Sequence, residues 1–312
     1  MQTTPKPIKQ LLVLVCLLFA IASFAQVKKP AVPQVNKPAQ QQSQPQPAQK
    51  QEAAPAKAEE PAKPAGKVIY VSPAGNNSND GTDKAAPMKE LDKALAKAED
   101  GDRINMAEGT YTGTFGVGYW EIEKAVQIYG GYKSDFSDRN PFKYLTVMQP
   151  PVDAFDKSAN RNVIDMKKPL NGVVVDGLVF DGGLKTPYSN DPDPKKSGRC
   201  DGCETGMMMV GPGQKNPEGV MLVLYGNNHV VRNCVFVNSS FGGVRAKIGQ
   251  AGAGDIEIAN NVFVGNRMFG IEGFGLKGQK PVEGQIHIHH NTILFSWSRL
   301  KDLGDFGYGI NV

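Results

Sequence analysis

Residues 254–266, GDIEIANNVFVGN, and residues 284–296, GQIHIHHNTILFS, repeat one pattern of alternating apolar and polar side chains. When Ile258 is aligned with Ile288, the two stretches match at an offset of 30 residues. Alternation with a period of two, with β-branched residues at every second position, is typical of β-strands. The sequence therefore predicts the same strand in both stretches.

Further copies of this strand lie upstream. Residues 229–238, HVVRNCVFVN, repeat it 27 residues earlier, and residues 173–182, VVVDGLVFDG, repeat it once more. Each copy continues, after a glycine, into a second strand. The expected inward ladders are Val175, Val231, Ile258, Ile288 and Phe180, Phe236, Phe263, Ile293, and the second strands begin at Val220, Val244, Ile271 and Ile310.

Short alternating strands that recur at a period of about 20–30 residues indicate a solenoid, in which each unit buries its apolar face only by stacking on its neighbours. The period within each unit excludes helical repeats. The units around Asn260-Asn261 and His290-Asn291 resemble those of the right-handed parallel β-helix proteins of the pectate-lyase-like group. The resemblance implies an all-β, right-handed parallel β-helix over residues 67–312.

The N-terminal residues 1–25 have the pattern of a secretory signal. Lys6 and Lys9 precede an apolar run that begins at Leu11, and a small-x-small cleavage site precedes Gln26. The run is shorter than the roughly 18–20 apolar residues that span a membrane, so we expect no transmembrane segment in the mature chain. The protein is expected to be secreted, periplasmic or held at the cell surface.

Residues 26–66 consist mainly of Pro, Gln, Ala and Lys, a composition that predicts a disordered linker. Residues 1–66 contain 8 Lys and 3 Glu, a net charge of +5, whereas the whole chain has a net charge of +4. The remainder is therefore close to neutral, at −1, which argues against a nucleic-acid partner.

A short capping helix is expected at the start of the folded part. Pro87 suits a first helical turn, and Gly101 follows the last periodic residue. The preceding loop, residues 76–81, has the alternating oxygen ligands of half a calcium loop, with Asp80 among them, but Pro87 stands where such a loop needs Glu. A plain turn is the favoured interpretation.

An insertion at about residues 183–217 separates the two strands of one unit, and loops of that length are commonly functional. Asp191 and Asp193 within it are further calcium candidates. Cys200 and Cys203 favour a local disulfide in an exported protein, while half of a zinc site or a redox motif stay open. Cys234 falls in an inward column and is expected to be a buried free thiol.

Outward positions define the candidate site residues. On the first strand, neighbouring units should pair Asp176 with Arg232 and Glu257 with His287, and His289 lies on the same face. These five residues are the candidate substrate contacts. On the second strand the outward column is Met221, Arg245, Glu272 and Asn311, with Lys247 two residues beyond Arg245. Solvated ion pairs between units are the alternative interpretation of all of them.

The resemblance implies a partner and a chemistry. Proteins of this architecture often bind or cleave acidic polysaccharides, and its lyases use calcium to neutralise a uronate while Arg or Lys takes the C5 proton. Arg245 or Lys247 is then the candidate base, with Asp176, Glu257, Glu272 or Asp305 as charge partners. A lyase is favoured over a hydrolase, which would use two carboxyl groups. A non-catalytic glycan-binding or structural protein is the alternative.

The last stretch of the chain leaves one expectation. Val312 falls within a second strand, and solenoids cap their terminal units, so we expect further units beyond it in a complete protein, which should be a monomer. His290 replaces Asn260 at a turn and is expected to be structural.

Overall fold

In a computed structural model of the chain, the described residues are 66–113, 118–149, 162–182, 220–239, 241–247, 255–266, 268–275, 284–296 and 307–312. The expected signal segment, almost all of the linker, the insertion and Asp305 lie outside these residues. So do Asp191, Asp193, Cys200 and Cys203, and the predictions made for them stay predictions.

The described residues form one α-helix and short β-strands. The helix, α1, is Leu91–Lys97. In chain order the strands are β1 Val68–Val71, β2 Arg103–Ala107, β3 Gly109–Tyr111, β4 Gly118–Ile122, β5 Gln127–Tyr132, β6 Thr146–Met148, β7 Asn162–Met166, β8 Leu170–Asn171, β9 Val174–Asp176, β10 Leu178–Asp181, β11 Val220–Asn227, β12 His229–Arg232, β13 Val235–Val237, β14 Gly242–Lys247, β15 Ile256–Ala259, β16 Val262–Val264, β17 Met268–Phe274, β18 Ile286–His289, β19 Thr292–Leu294 and β20 Gly307–Asn311.

Three parallel sheets contain all of these strands except β8, which pairs with β11. The first sheet has the order β1-β2-β5-β9-β12-β15-β18, the second β3-β6-β10-β13-β16-β19 and the third β4-β7-β11-β14-β17-β20. The chain visits the three sheets in turn and then begins the next coil, one strand further along each sheet. Parallel crossovers of this kind are right-handed in nearly all proteins. The predicted right-handed parallel β-helix with a short N-terminal helix is confirmed. No helix among the described residues is long and apolar enough to cross a membrane.

The predicted inward ladders are confirmed in register. Val231 pairs with Val175 and Ile258, and Ile258 pairs with Ile288. Phe236 stacks between two further rings, at centroid distances of 4.7 Å and interplanar angles of 8° to Phe180 and 7° to Phe263. The core is thus an in-register stack, in which each coil rests on the equivalent residue of its neighbour.

A polar ladder accompanies this apolar core. The Asn291 side chain accepts the N–H of Asn261 at 3.0 Å, and the Asn261 side chain accepts the N–H of Cys234 at 2.9 Å. Asn261 Nδ2 also donates to the Val231 carbonyl at 3.0 Å, so the buried turn is satisfied from coil to coil. Cys234 occupies the next position of this ladder as a fully buried free thiol, which was predicted.

The expected bounds of the capping helix were wrong. The helix begins at Leu91 and ends at Lys97, not at Pro87 and Gly101. Met88 lies before it and is held in extended backbone, because its N–H donates to the Tyr70 carbonyl at 2.9 Å. The helix buries Leu91 and Ala94 in the core of the first coils.

The expected alignment of the third sheet was wrong in one coil. Leu222, not Val220, pairs with Val244, so Val223 replaces Met221 beside Arg245. The reason lies at the corner that leads into β14. A Cβ at Gly243 would meet the Phe263 ring at 2.6 Å, so Gly243 faces the core. Val244, the next residue, is fully buried and faces the core as well. Strict alternation fails where the chain turns between sheets.

Candidate functional site

The structure separates the candidate residues into two faces. The proposed substrate contacts lie on the outer face of the first sheet, and the proposed catalytic residues lie on the outer face of the third sheet. The strand pairings join residues within each group and none between the groups. The first group is Asp176, Arg232, Glu257, His287 and His289, and the second is Arg245, Lys247 and Glu272.

Asp176 is the centre of a buried network on the first face. Its Oδ2 accepts Arg232 Nε at 2.7 Å, which confirms the predicted pair. Its Oδ1 accepts Arg139 Nη2 at 2.5 Å and Asn233 Nδ2 at 3.0 Å. Asp176 is only 1% exposed, so the interpretation as a solvated ion pair was wrong for it. A carboxylate with this many donors is a structural anchor.

Arg139 was missed because it lies in the segment after β5, outside the repeating strands. Its guanidinium packs over the Tyr129 ring at 5.2 Å, and that of Arg103 packs over the same ring at 4.7 Å. Arg139 Nε also donates to the Gly130 carbonyl at 2.9 Å. These contacts hold the segment against the outer face of the first sheet. No spacing in the sequence predicts them.

The histidines form a different contact from the predicted one. Glu257 lies opposite His287 in the strand register, but its Oε1 meets His289 Nε2 at 3.4 Å instead. His289 Nδ1 lies 2.7 Å from His290 Nδ1. His290 has a φ of 54°, close to the 56° of Asn260, and so occupies the left-handed turn position as expected.

The Arg245–Glu272 pair on the third face is confirmed. Arg245 Nε lies 2.5 Å from Glu272 Oε2, and both side chains are largely buried. The guanidinium also packs over three aromatic rings, at centroid distances between 4.8 and 5.5 Å: those of Phe241, Phe269 and Phe274. Arg245 is therefore held rigidly by charge and by stacking.

Lys247 has the more open position and faces a carboxyl group that was missed. Its Nζ lies 4.0 Å from Asp165 Oδ1 and 5.3 Å from the centre of the Tyr225 ring. Asp165 Oδ2 accepts Asn162 Nδ2 at 2.8 Å, whereas its Oδ1 is buried without a hydrogen-bond partner. Burial raises the pKa of Asp165, and the Asn162 bond and the Lys247 charge oppose that effect. Asp165 can therefore hold a proton that an exposed aspartate would lose.

Further acidic residues lie beside Asp165 in the earlier coils of the third sheet. Glu121 is the strand partner of Asp165, and it forms an ion pair with Lys167. Lys167 also contacts Glu123 at 3.0 Å. Only the alternation within Asn162–Met166 could have placed Asp165 outward, since this coil lacks the Asn and Phe positions that mark the later ones.

The proposed calcium loop has its oxygen atoms engaged internally. Asp80 Oδ1 accepts the backbone N–H and the hydroxyl of Thr82 at 2.9 and 2.8 Å, and these bonds lower the pKa of Asp80. Asn76 likewise accepts the N–H of Ser78 at 3.0 Å. Within the described part of the chain, no three His, Cys, Asp or Glu side chains are grouped so as to hold a metal ion. The side-chain oxygens of this loop are thus engaged within its own turns, and Asp80 as a calcium ligand stays a prediction.

The three parallel sheets and their charged outer faces define the molecule as a parallel β-helix protein. A family model described as "Protein of unknown function (DUF1565)" matches residues 73–136, which span α1 and the first coils. No curated protein matches the chain.

Two solved structures are similar to the chain at 14% sequence identity. One is a rhamnogalacturonan lyase, with 73% of this chain and 62% of that chain covered and a TM-score of 0.34. The other is pectate lyase Pel9A, with 73% and 77% covered and a TM-score of 0.30. The chain thus spans less than two thirds of the rhamnogalacturonan lyase.

Proposed function

We propose that this is an exported β-helix protein that cleaves an acidic polysaccharide by β-elimination on the outer face of the third sheet. The observation that carries the proposal is the pairing of Lys247 with Asp165, a buried carboxyl group whose Oδ1 has no hydrogen bond. The signal pattern and the linker of the N-terminal residues support export.

The reaction needs one base and one acid. Lys247 takes the C5 proton of a uronate, and Asp165 donates a proton to the O4 that leaves. The C5–H and C4–O4 bonds break while a C4–C5 double bond forms. Proton exchange with the solvent then restores both groups.

Burial raises the pKa of Asp165, which is the direction of shift that a general acid needs, and this supports the acid role. Arg245 is a poorer base than Lys247, because an arginine side chain stays protonated and this one is fixed by Glu272 and three rings. Arg245 and Glu272 are assigned to the wall of the site. No step uses a metal.

The test is the incubation of the full chain with a panel of uronate polymers, with and without calcium, while ultraviolet absorption by the unsaturated product is followed. Lys247→Gln and Asp165→Asn should each lower the initial rate by about 100-fold or more. Lys133→Gln is the matched control, because it removes a lysine from an exposed ion pair with Asp135. No product from the wild-type protein on any uronate would refute the proposal.

A non-catalytic glycan-binding protein is the second candidate. The observation in its favour is that cations of this face are already paired with acids, as Arg245 is with Glu272 and Lys167 with Glu121. Glycan binding without turnover by the full chain would favour this function, whereas turnover that Lys247→Gln abolishes would exclude it.

A further inference from the structure

His290 differs from the other residues at its turn in what its side chain contacts. Asn233, Asn260 and His290 occupy the same left-handed turn in three successive coils, with φ values of 55°, 56° and 54°. Each asparagine bonds back to the coil before it: Asn233 Nδ2 donates to Asp176 Oδ1 at 3.0 Å, and Asn260 Nδ2 donates to Asn233 Oδ1 at 2.6 Å. His290 instead contacts His289 of its own coil through Nδ1. A bond between coils is thus replaced by a pair of imidazoles.

The separation of the two imidazole nitrogens suits two neighbouring ligands of one metal ion. His289 Nδ1 lies 2.7 Å from His290 Nδ1. Two nitrogens at a right angle on an ion, with bonds of about 2.0 Å, are about 2.8 Å apart, whereas at the tetrahedral angle they are about 3.3 Å apart. The pair is therefore closer to the geometry of square-planar copper(II) or nickel(II) than to that of tetrahedral zinc. Copper(II) binds such nitrogen ligands more tightly than nickel(II) does.

Glu257 favours the tautomer of His289 that a metal ion needs. Its Oε1 lies 3.4 Å from His289 Nε2, on the other side of the ring from His290. A proton on Nε2 can meet this carboxylate, and the neutral ring then has its lone pair on Nδ1. Metal-binding histidines commonly donate their second ring N–H to a carboxylate in this way. Glu257 also places a negative charge beside the pair.

An ion can reach the pair from solvent. The side chain of His289 is 46% exposed and that of Glu257 is 43% exposed, and His290 is exposed as well. The torsion that turns an imidazole ring is broad, so a small rotation of each exposed ring can direct both Nδ1 atoms at one ion. Water can occupy the coordination positions that the protein leaves open.

We propose that His289 and His290 bind a copper(II) ion through their Nδ1 atoms, while Glu257 orients the His289 ring. The ion takes the place of the proton that the two nitrogens share, so binding releases that proton. With two protein ligands the ion is held exchangeably. The site lies on the outer face of the first sheet and does not depend on the proposed cleavage of a polysaccharide on the third.

Copper(II) titration of the full chain, with its accessible thiols alkylated, tests the site by calorimetry and electron paramagnetic resonance. The wild type should show nitrogen couplings from two imidazoles on one ion. His290→Asn restores the asparagine found at this turn in earlier coils, and it should remove one imidazole from the spectrum and lower affinity by about tenfold or more. His289→Gln should do the same, and Glu257→Gln should lower affinity by about tenfold while both imidazoles stay bound.

The other two histidines of the chain provide the control. His229 is 1% exposed, so His287 is the one further histidine that solvent reaches. His287→Gln removes an imidazole from the same strand, β18, but leaves the pair intact, and it should bind copper as the wild type does. A one-imidazole spectrum in the wild type, or a two-imidazole spectrum that persists in His290→Asn, would overturn the proposal. So would an equal loss of affinity in His287→Gln and His290→Asn.

Discussion

Substitution of Asp176 by Asn removes the charge of the buried network while it keeps the volume of the side chain. Arg139, whose side chain is 8% exposed, would then face an amide in place of a carboxylate. Removal of one partner from a buried ion pair costs about 3–5 kcal/mol, since the remaining charge stays desolvated. Arg232, at 38% side-chain exposure, contributes a screened contact worth under about 1 kcal/mol.

The expected order of destabilisation is therefore Asp176→Asn, then Arg139→Gln, then Arg232→Gln. Urea denaturation followed by far-ultraviolet circular dichroism measures it, with midpoints compared because a solenoid need not unfold in a single step. The double variant Asp176→Asn with Arg139→Gln should lose less than the sum of the two single variants. If Asp176→Asn shifted the midpoint no more than Arg232→Gln does, the network would be solvated and our assignment of a structural anchor would be wrong.

Three further predictions concern the core and the capping helix. Phe236→Ala should cost about 3–5 kcal/mol in unfolding free energy, because it removes the middle ring of the stack; a shift like that of an exposed Phe142→Ala would contradict this. Cys234→Asn should keep or raise the melting temperature, because the new amide can extend the asparagine ladder. It replaces a thiol whose pKa is raised by burial to about 12. A melting temperature below that of Cys234→Ala would contradict this prediction. Burial raises the pKa of Asp92 from 3.8 to about 6, so the stability of the protein should fall as the pH rises through this window. The Asp92→Asn variant should therefore melt at a higher temperature than the wild type at pH 7 and at the same temperature at pH 3. An equal difference in melting temperature at the two pH values would refute the assignment.

The ladders were predictable because parallel strands in register turn a repeat of the sequence into a contact in space. The same reasoning predicted the ion pairs of Asp176 with Arg232 and of Arg245 with Glu272, each from one alignment of two neighbouring repeats. The contacts of outward side chains with several neighbours within reach were less predictable. Glu257, for example, contacts His289 and not His287.

The rest of the site depended on contacts that no repeat encodes. Arg139 reaches Asp176 from a segment with no counterpart in the later coils. Asp165 belongs to an early coil whose sequence has diverged from the pattern, so its approach to Lys247 appears only once three coils are stacked. The division of the outer residues into two faces likewise follows from the corners between sheets, and spacing along the chain does not reveal it.

The corners also have a consequence for how such a chain can change its length. Val231 and Ile258 are 27 residues apart and Ile258 and Ile288 are 30 apart, yet both pairs stack in the same register. The three additional residues are absorbed outside the ladder, and so is the longer connection between β10 and β11. Peptides grafted into the connection between β17 and β18, where the additional residues lie in the sequence, should therefore leave the core ladders untouched, which makes the protein a scaffold for the display of foreign loops.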